Sequence, residues 1–244
     1  MNSEYGSRLV KMGLALLLAA LWLPGQAGAA GKVNAIVVYV NGDVQVKRSG
    51  ESAFSALALN DLLYAGDEVK TGASSQASLA TKGGAEVRLN QNSTFNIEAS
   101  GKVREMLRLR VGQLWTRMLH KMAKLDVRTP SAVCAVRGTE ADIEQRSLLT
   151  VKVYEGHVDV QNAQGKQSLA AGQMSTVAGA AAAPAAPKQM GSADVGNWQE
   201  GMATKDMQKF LDKLNAESGG DKKLKLKINK DGKAKDVEIK LKKK

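Results

Sequence analysis

The sequence predicts an all-β fold, built from repeated short-strand hairpin units stacked into a solenoid-like or sandwich-like body and followed by a small C-terminal helix and β-hairpin. Three observations carry that expectation. Between Val127 and Val177, short alternating apolar runs are separated by a Thr-Pro step, an Arg137-Gly138-Thr139 turn and two Gly-centred hairpins, and no run is long enough for a buried helix. Aromatic residues make up 4% of the 244-residue chain and glycine numbers 24, which suits short strands and tight turns rather than a large aromatic-filled pocket. The third observation is an internal echo. Val38-Tyr39-Val40-Asn41-Gly42-Asp43-Val44-Gln45-Val46 matches Val153-Tyr154-Glu155-Gly156-His157-Val158-Asp159-Val160, and each copy leads on to a second Gly strand, at Gly66 and at Gly172. A weaker third copy runs from Leu109 to Trp115 around Gly112. Strand-turn units that cannot each bury a face alone must share a core by stacking.

The chain opens with Arg8 and Lys11, an apolar run of 12 residues from Met12 to Leu23, and Pro24 followed by Gln26-Ala27-Gly28-Ala29. A positive n-region, a run short of the ~20 residues that span a bilayer and an A-x-A site read as a Sec-type signal peptide, residues 1–29, cut near Ala29. The competing reading is an uncleaved membrane anchor. No cysteine follows the apolar run, so a lipoprotein anchor has no support, and no further span follows. The expected localisation is periplasmic or secreted.

The mature chain then divides into a β-domain at 33–177, an Ala/Pro-rich linker at 178–196 and a basic appendage at 197–244. Alanine without apolar periodicity, broken by Pro184 and Pro187, marks the linker. In the β-domain, Asn41-Gly42 reads as a two-residue hairpin turn, because both positions need positive φ and Asn and Gly tolerate it. Gly42, Gly66, Gly138 and Gly156 are expected to permit turns that a β-carbon would strain, and Thr129-Pro130 to set an extended entry to the following run. Cys134 lies in the alternating run Ala132 to Val136 and reads as a small buried hydrophobe.

In the appendage, Trp198, Met202, Phe210, Leu211 and Leu214 fall near one helical stripe between Asn197 and Ala216. Beyond it, Lys223 to Ile228 and Val237 to Lys242 alternate with period two around a Lys230-Asp231-Gly232-Lys233 turn, predicting an amphipathic hairpin. Helix and hairpin are expected to pack on each other or together on the β-domain. Asp221 to Lys244 holds eleven lysines against four acids, +7 of the chain's net +11. Lys223, Lys225, Lys227, Lys240 and Lys242 are the candidate anion-binding residues. A second basic stretch, Lys102 to Arg128, adds Arg104, Arg108, Arg110, Arg117, Lys121 and Lys124 against Glu105 and Asp126.

No nucleophile elbow, phosphate-cradling glycine loop or zinc-protease motif occurs, and Asp67 and Glu68 are adjacent on a strand, so their carboxylates point to opposite faces. His120 and His157 sit on different elements, with no cysteine or carboxylate cluster at ligand spacing. The expectation is a non-enzyme without metal or cofactor. Nucleic acid suits the charge but not the export signal or the lack of aromatic stacking among the lysines.

The chain resembles the FecR domain family in the order of its motifs: Gly42-Asp43-Val44-Gln45-Val46, Gly66 to Gly72, Val87 to Ser93, Thr129-Pro130, Val136-Arg137-Gly138-Thr139 and Val153 to Val160. That resemblance implies an envelope β-domain that binds other proteins, and marks Gly42, Gly66, Thr129, Pro130, Arg137, Gly138, Thr139 and Gly156 as family-motif residues of structural role. In the regulators that name the family, a cytoplasmic module controls a sigma factor through a transmembrane link. Here 11 residues precede the apolar run, so that module and link are not expected, and the chain reads as a stand-alone interaction or sensing module with an unidentified envelope protein partner. The alternative is a polyanion-binding protein that uses the lysine-rich hairpin on anionic lipid or glycan.

Overall fold

The computed structural model describes residues 32–98, 105–120, 123–202, 206–218, 222–230 and 233–241; the predicted signal segment and its cleavage site near Ala29 lie outside them. Strands β1 (Val33–Asn41), β2 (Val44–Lys47), β3 (Ser55–Ala56), β4 (Leu62–Tyr64), β5 (Glu68–Thr71), β6 (Gln76–Thr81), β7 (Ala85–Leu89) and β8 (Thr94–Ile97) are all short. Three long strands follow among others: β9 (Glu105–Met118), β10 (Lys124–Arg128), β11 (Val133–Gln145) and β12 (Leu149–Asn162). Then come β13 (Gly165–Ala170), β14 (Gln173–Val177), β15 (Lys188–Gln189), helix α1 (Met207–Glu217), β16 (Lys222–Lys230) and β17 (Lys233–Leu241).

The pairings resolve the choice between solenoid and sandwich in favour of two layers. A front layer runs β4-β1-β6-β7-β9-β11-β12-β14-β15, using the C-terminal halves of β9 and β11 and the N-terminal half of β12. A back layer runs β3-β2-β5-β8-β9-β10-β11-β12-β13, using the opposite halves of the same strands. Every pairing is antiparallel except β9 with β10. Leu79, Val87, Leu114, Ile143 and Val151 of the front meet Val46, Val69, Phe95, Leu109, Val127 and Val158 of the back in one core cluster. Each such side chain contributes about 1.5–3 kcal/mol on burial, and alternation sends its strand neighbours to the outer faces.

The Gly-centred repeat is a repeat of corners between layers, which corrects the hairpin reading. β1 pairs with β4 and β6 and does not pair with β2, so Asn41-Gly42 turns the chain from front to back. Gly66 does the same between β4 and β5, while Gly112, Gly138 and Gly156 are corners inside the continuous strands β9, β11 and β12. All five take positive φ, between 61° and 109°. A β-turn dipeptide reports the need for positive φ, but which strand it leads to depends on pairing partners distant in sequence. The true hairpins carry other signals. The Thr129-Pro130 step is the β10–β11 turn, in which Thr129 Oγ1 accepts from the backbone N–H of Ser131 and Ala132, each at 3.1 Å.

Residues 178–196 do not hang free. The Ala185 N–H donates to the Thr176 carbonyl at 2.9 Å, Ser175 Oγ donates to the Ala185 carbonyl at 2.6 Å, Pro184 is buried, and β15 extends the front layer beside β14. Composition suggested a linker because it registers side-chain periodicity, whereas this segment is held through its main chain. The chain then crosses the outer face of the front layer, and α1 closes over β1 and β6. Leu214 is buried there with Val33, Ile36, Val38 and Ala80, and Met207, Phe210 and Leu211 pack around it. Trp198 and Met202 precede this helix and do not extend its stripe; Glu200 to Met202 form a single 3-10 turn. The lysine-rich hairpin forms as expected, as a separate two-stranded sheet whose register pairs Leu224 with Ile239 and Leu226 with Val237. No helix among the described residues is long and apolar enough to cross a membrane.

Candidate interaction site on the front layer

Outward-facing residues of β7, β9, β11 and β12 form a polar patch beneath the crossing segment. Glu86, fully buried, accepts from Arg88 Nε and Nη2 at 2.8 Å and from Arg117 Nη2 at 2.8 Å. Both guanidiniums also lie over the Trp115 ring, 4.5 and 5.6 Å from its centroid. Trp115 Nε1 donates to Glu140 at 3.1 Å. Next to this cluster, Asp142 accepts from Gln113 Nε2 at 2.9–3.0 Å. Alternation on three adjacent strands brings these residues to one face.

The segment from Asp194 to Gln199 covers that face as a strap. Lys152 Nζ donates to the Asp194 carbonyl at 2.6 Å, the Gly196 N–H donates to the Tyr154 hydroxyl at 3.3 Å, and Arg88 Nη1 donates to the Gln199 carbonyl. Trp198 Nε1 donates to Asp142 Oδ2 at 2.8 Å, while Gln76 Nε2 reaches the Trp198 carbonyl at 3.5 Å. Burial under the strap pushes the Asp142 carboxyl up to about 6, against the opposing pull of the Trp198 and Gln113 hydrogen bonds and the Lys152 charge. Tyr154 is likewise raised, by burial and then by the Asp142 charge.

The outer face of the back layer has similar residues, with no comparable strap over them among the described residues. Arg110 and Lys47 pair with Glu68 at 3.0 and 3.8 Å, Arg108 and Arg128 pair with Glu98 at 2.6 and 3.6 Å, and Lys166 pairs with Asp159 at 3.0 Å. At Glu68, burial raises the carboxyl but is outweighed by the Asn96 hydrogen bond and the Lys47 and Arg110 charges, which hold it below its ordinary value. Asp159 is also held low, burial being outweighed by Ser168, Lys166 and the charge of Arg137. An open hollow of about 690 Å³ near Gly66, Asn96, Arg108 and Arg110 is continuous with this face.

The sequence-predicted residues therefore separate by role. Gly42, Gly66, Gly138 and Gly156 are corners, and Thr129 and Pro130 form a turn. Arg137 acts on Asp159 across to β12, while Glu140 receives Trp115 and Glu144 pairs with Arg146 at 2.7 Å. Thr139 lies in β11 within the register shift between Arg137 and Glu140. Asp67 and Glu68 do diverge. Asp67 ties the Gly66 corner by accepting from Arg48 at 2.8 Å and from the backbone N–H of Ser49 and Tyr64 at 3.0 Å. The basic stretch does not present free charge as a block, since Arg108, Arg110, Arg117 and Arg128 each pair with a glutamate, while Lys102, Arg104 and Lys121 lie outside the described residues. Lys223, Lys225 and Lys227 lie on β16 and Lys240 on β17; Lys242 lies outside the described residues. Cys134 is fully buried, and burial followed by the Asp126 charge pushes its thiol up to about 12. His120 and His157 are exposed and lie apart in the chain, His120 just after β9 and His157 within β12 beside the Gly156 corner. Sequence reasoning missed the strap and its Trp198–Asp142 anchor; an indole after an Ala/Pro stretch was the one available signal.

The site is thus the polar outer face of a two-layer β-body with glycine corners, crossed by a strap. Residues 67–159 match the family model described as FecR protein, so the chain carries a FecR domain, running from the start of β5 into the second half of β12. Two crystal structures of a candidate anti-sigma factor from Parabacteroides distasonis are similar, with TM-scores of 0.45 and 0.44 and 16% identity. The similarity covers 50% of this chain and 59% of the length of that one. No curated protein matches the chain. The strap, α1 and the lysine-rich hairpin all lie beyond the matched residues.

Proposed function

We propose that this is an exported, non-enzymatic FecR-domain protein that acts in the cell envelope as a protein-interaction module with a sensing or regulatory role. The FecR domain supports the regulatory class, and the pattern of residues 1–29 supports export. The observation that carries the interaction reading is the strap: the outer face of the front layer already holds a polypeptide segment through a polar seam. The charged residues of both outer faces serve structural pairs, which suits a scaffold better than a reaction centre.

A second reading rests on the hairpin of β16 and β17, where the lysine positions of a separate two-stranded sheet would meet anionic lipid or glycan. Affinity capture from envelope extracts separates the two. The bait is residues 30–244 beside a form ending at Gly219, each at low and moderate salt. The interaction reading expects one discrete protein on both forms; capture of lipid or glycan alone, lost with the hairpin or with salt, would leave a basic surface binder.

A further inference from the structure

Five hydrogen bonds join the strap to the outer face of the front layer among the described residues, and four of them engage strap main-chain atoms: the carbonyls of Asp194, Trp198 and Gln199 and the N–H of Gly196. The fifth takes the Trp198 indole N–H into Asp142. A surface that addresses a segment through its main chain at several points and through one side chain at another has the chemistry of a peptide-binding site. An ordinary core contact would be apolar. Here the seam covers Asp142, Glu86 and Arg88, all buried, and leaves Gln199 Oε1 without a partner, so docking the strap desolvates charge that would be hydrated without it. Such a segment is held only moderately tightly.

We infer that the strap is a tethered occupant of a peptide-binding surface on the FecR domain, and that a partner polypeptide bearing a tryptophan displaces it and takes its place. The inference rests on the interaction reading above and names its surface. The preference for an indole follows from the surroundings of Asp142. Lys152 stands on the neighbouring strand and Arg88 and Arg117 on the same face, so a second cation aimed at Asp142 would meet like charge, whereas an indole supplies a neutral donor with a ring to bury. Burial beneath the strap raises the Asp142 carboxyl, facing Lys152 and Tyr154 from β12, Glu140 and Glu144 from its own strand and Gln113 from β9. A bound segment that shields it in the same way should bind more tightly in mild acid.

The test uses the full chain and a fluorescein-labelled peptide of residues 191–202, followed by anisotropy. The Trp198→Ala chain, with its own anchor removed, should bind the peptide saturably and about tenfold or more tightly than the wild-type chain, whose site is filled. A peptide with alanine in place of tryptophan should not bind, and adding Asp142→Ala to the chain should abolish binding of the native peptide. If Trp198→Ala does not fold, Trp198→Phe keeps the ring, loses the donor and is judged by the same criterion. Absence of saturable binding to a folded anchor variant, or equal binding to wild type and variant, overturns the inference. A protein captured from envelope extracts that is indifferent to the free peptide and to Trp198→Ala would overturn the peptide site while leaving the interaction reading intact; loss of every discrete protein partner would remove that reading itself.

Discussion

The two outer faces of the sandwich carry the same kinds of residue in opposite states. On the front, Glu86, Arg88 and Asp142 are covered by a strap; on the back, Glu68, Glu98 and Asp159 meet arginines and lysines that remain partly or largely in solvent. The carboxyls respond accordingly, Asp142 being pushed up by burial and Glu68 and Asp159 held down by their partners. Charge pairs on the surface of a sheet contribute little; the same pairs under the strap become a network in which each member depends on the others.

The sharpest way to break that comparison is to remove one partner from the covered face. Arg88→Met leaves Glu86 fully buried with Arg117 as its remaining cation, whose own side chain is 48% exposed. The expected loss is about 3–5 kcal/mol in urea unfolding, the range for stranding a buried charge. The double variant Glu86→Leu/Arg88→Met should recover most of it, because an apolar pair of similar volume needs no compensation. A loss below ~1 kcal/mol for Arg88→Met would show that the strap does not exclude water.

The faces should also differ in the sign of their pH dependence. Asp142 has a folded value of about 6 against an ordinary 3.8, so folding is disfavoured where the unfolded chain is ionised. The penalty is absent below about pH 4, grows as pH rises, and is complete above about 6, reaching roughly 2–3 kcal/mol. Glu105, raised by burial despite hydrogen bonds from Thr81 and Gly83, adds in the same direction. Glu68 and Asp159, held low, stabilise above their unfolded values and lose that contribution as pH falls through their folded ones. Asp142→Asn should therefore gain stability relative to wild type between pH 4 and 6.5 and run parallel to it above, measured as urea midpoints. A difference that does not change across that range would mean Asp142 is not shielded.

Both faces lie on the same strands because the corners carry each strand from one layer to the other. Gly138 has φ of 61° with open space where a β-carbon would stand, whereas at Gly112 a β-carbon would lie 2.4 Å from Ser93 Cα. Gly138→Val should cost about 1–2 kcal/mol through backbone strain alone, and Gly138→Asn only a fraction of that, since asparagine tolerates the left-handed region. Equal thermal shifts for the two would show that packing rather than φ decides at this corner.

Much of this was legible in the sequence, and the remainder failed for definite reasons. The period-two runs gave the strands, and the glycines gave the positions of positive φ. They did not give the partner strand: Gly42 and Gly156 sit in motifs identical to hairpin turns, and only pairings such as Val44 with Thr71, distant in sequence, make them corners. The parallel pairing of β9 with β10 has no local signal at all. The strap escaped because main-chain hydrogen bonds leave no trace in composition, and Trp198 was assigned to a helical stripe by a spacing it shares with Phe210 only by coincidence of phase.

The smallest expected effect lies on the open face and sets the baseline for the others. Arg110, 58% exposed at its side chain, pairs with Glu68 at 3.0 Å, but Glu68 also receives Asn96 at 3.2 Å and has Lys47 at 3.8 Å. Arg110→Met removes the solvent-exposed one of three favourable partners from a carboxylate that is itself buried and keeps Asn96 and Lys47. The loss should stay below ~1 kcal/mol and shrink further in high salt. Its clearer signature is in titration: with one charge and one hydrogen bond gone, the Glu68 carboxyl should rise toward its ordinary value when followed by NMR. Should Arg110→Met instead cost as much as Arg88→Met, the back face must be covered in solution as the front is, and the lysine-rich hairpin would be the first segment to examine as its cover.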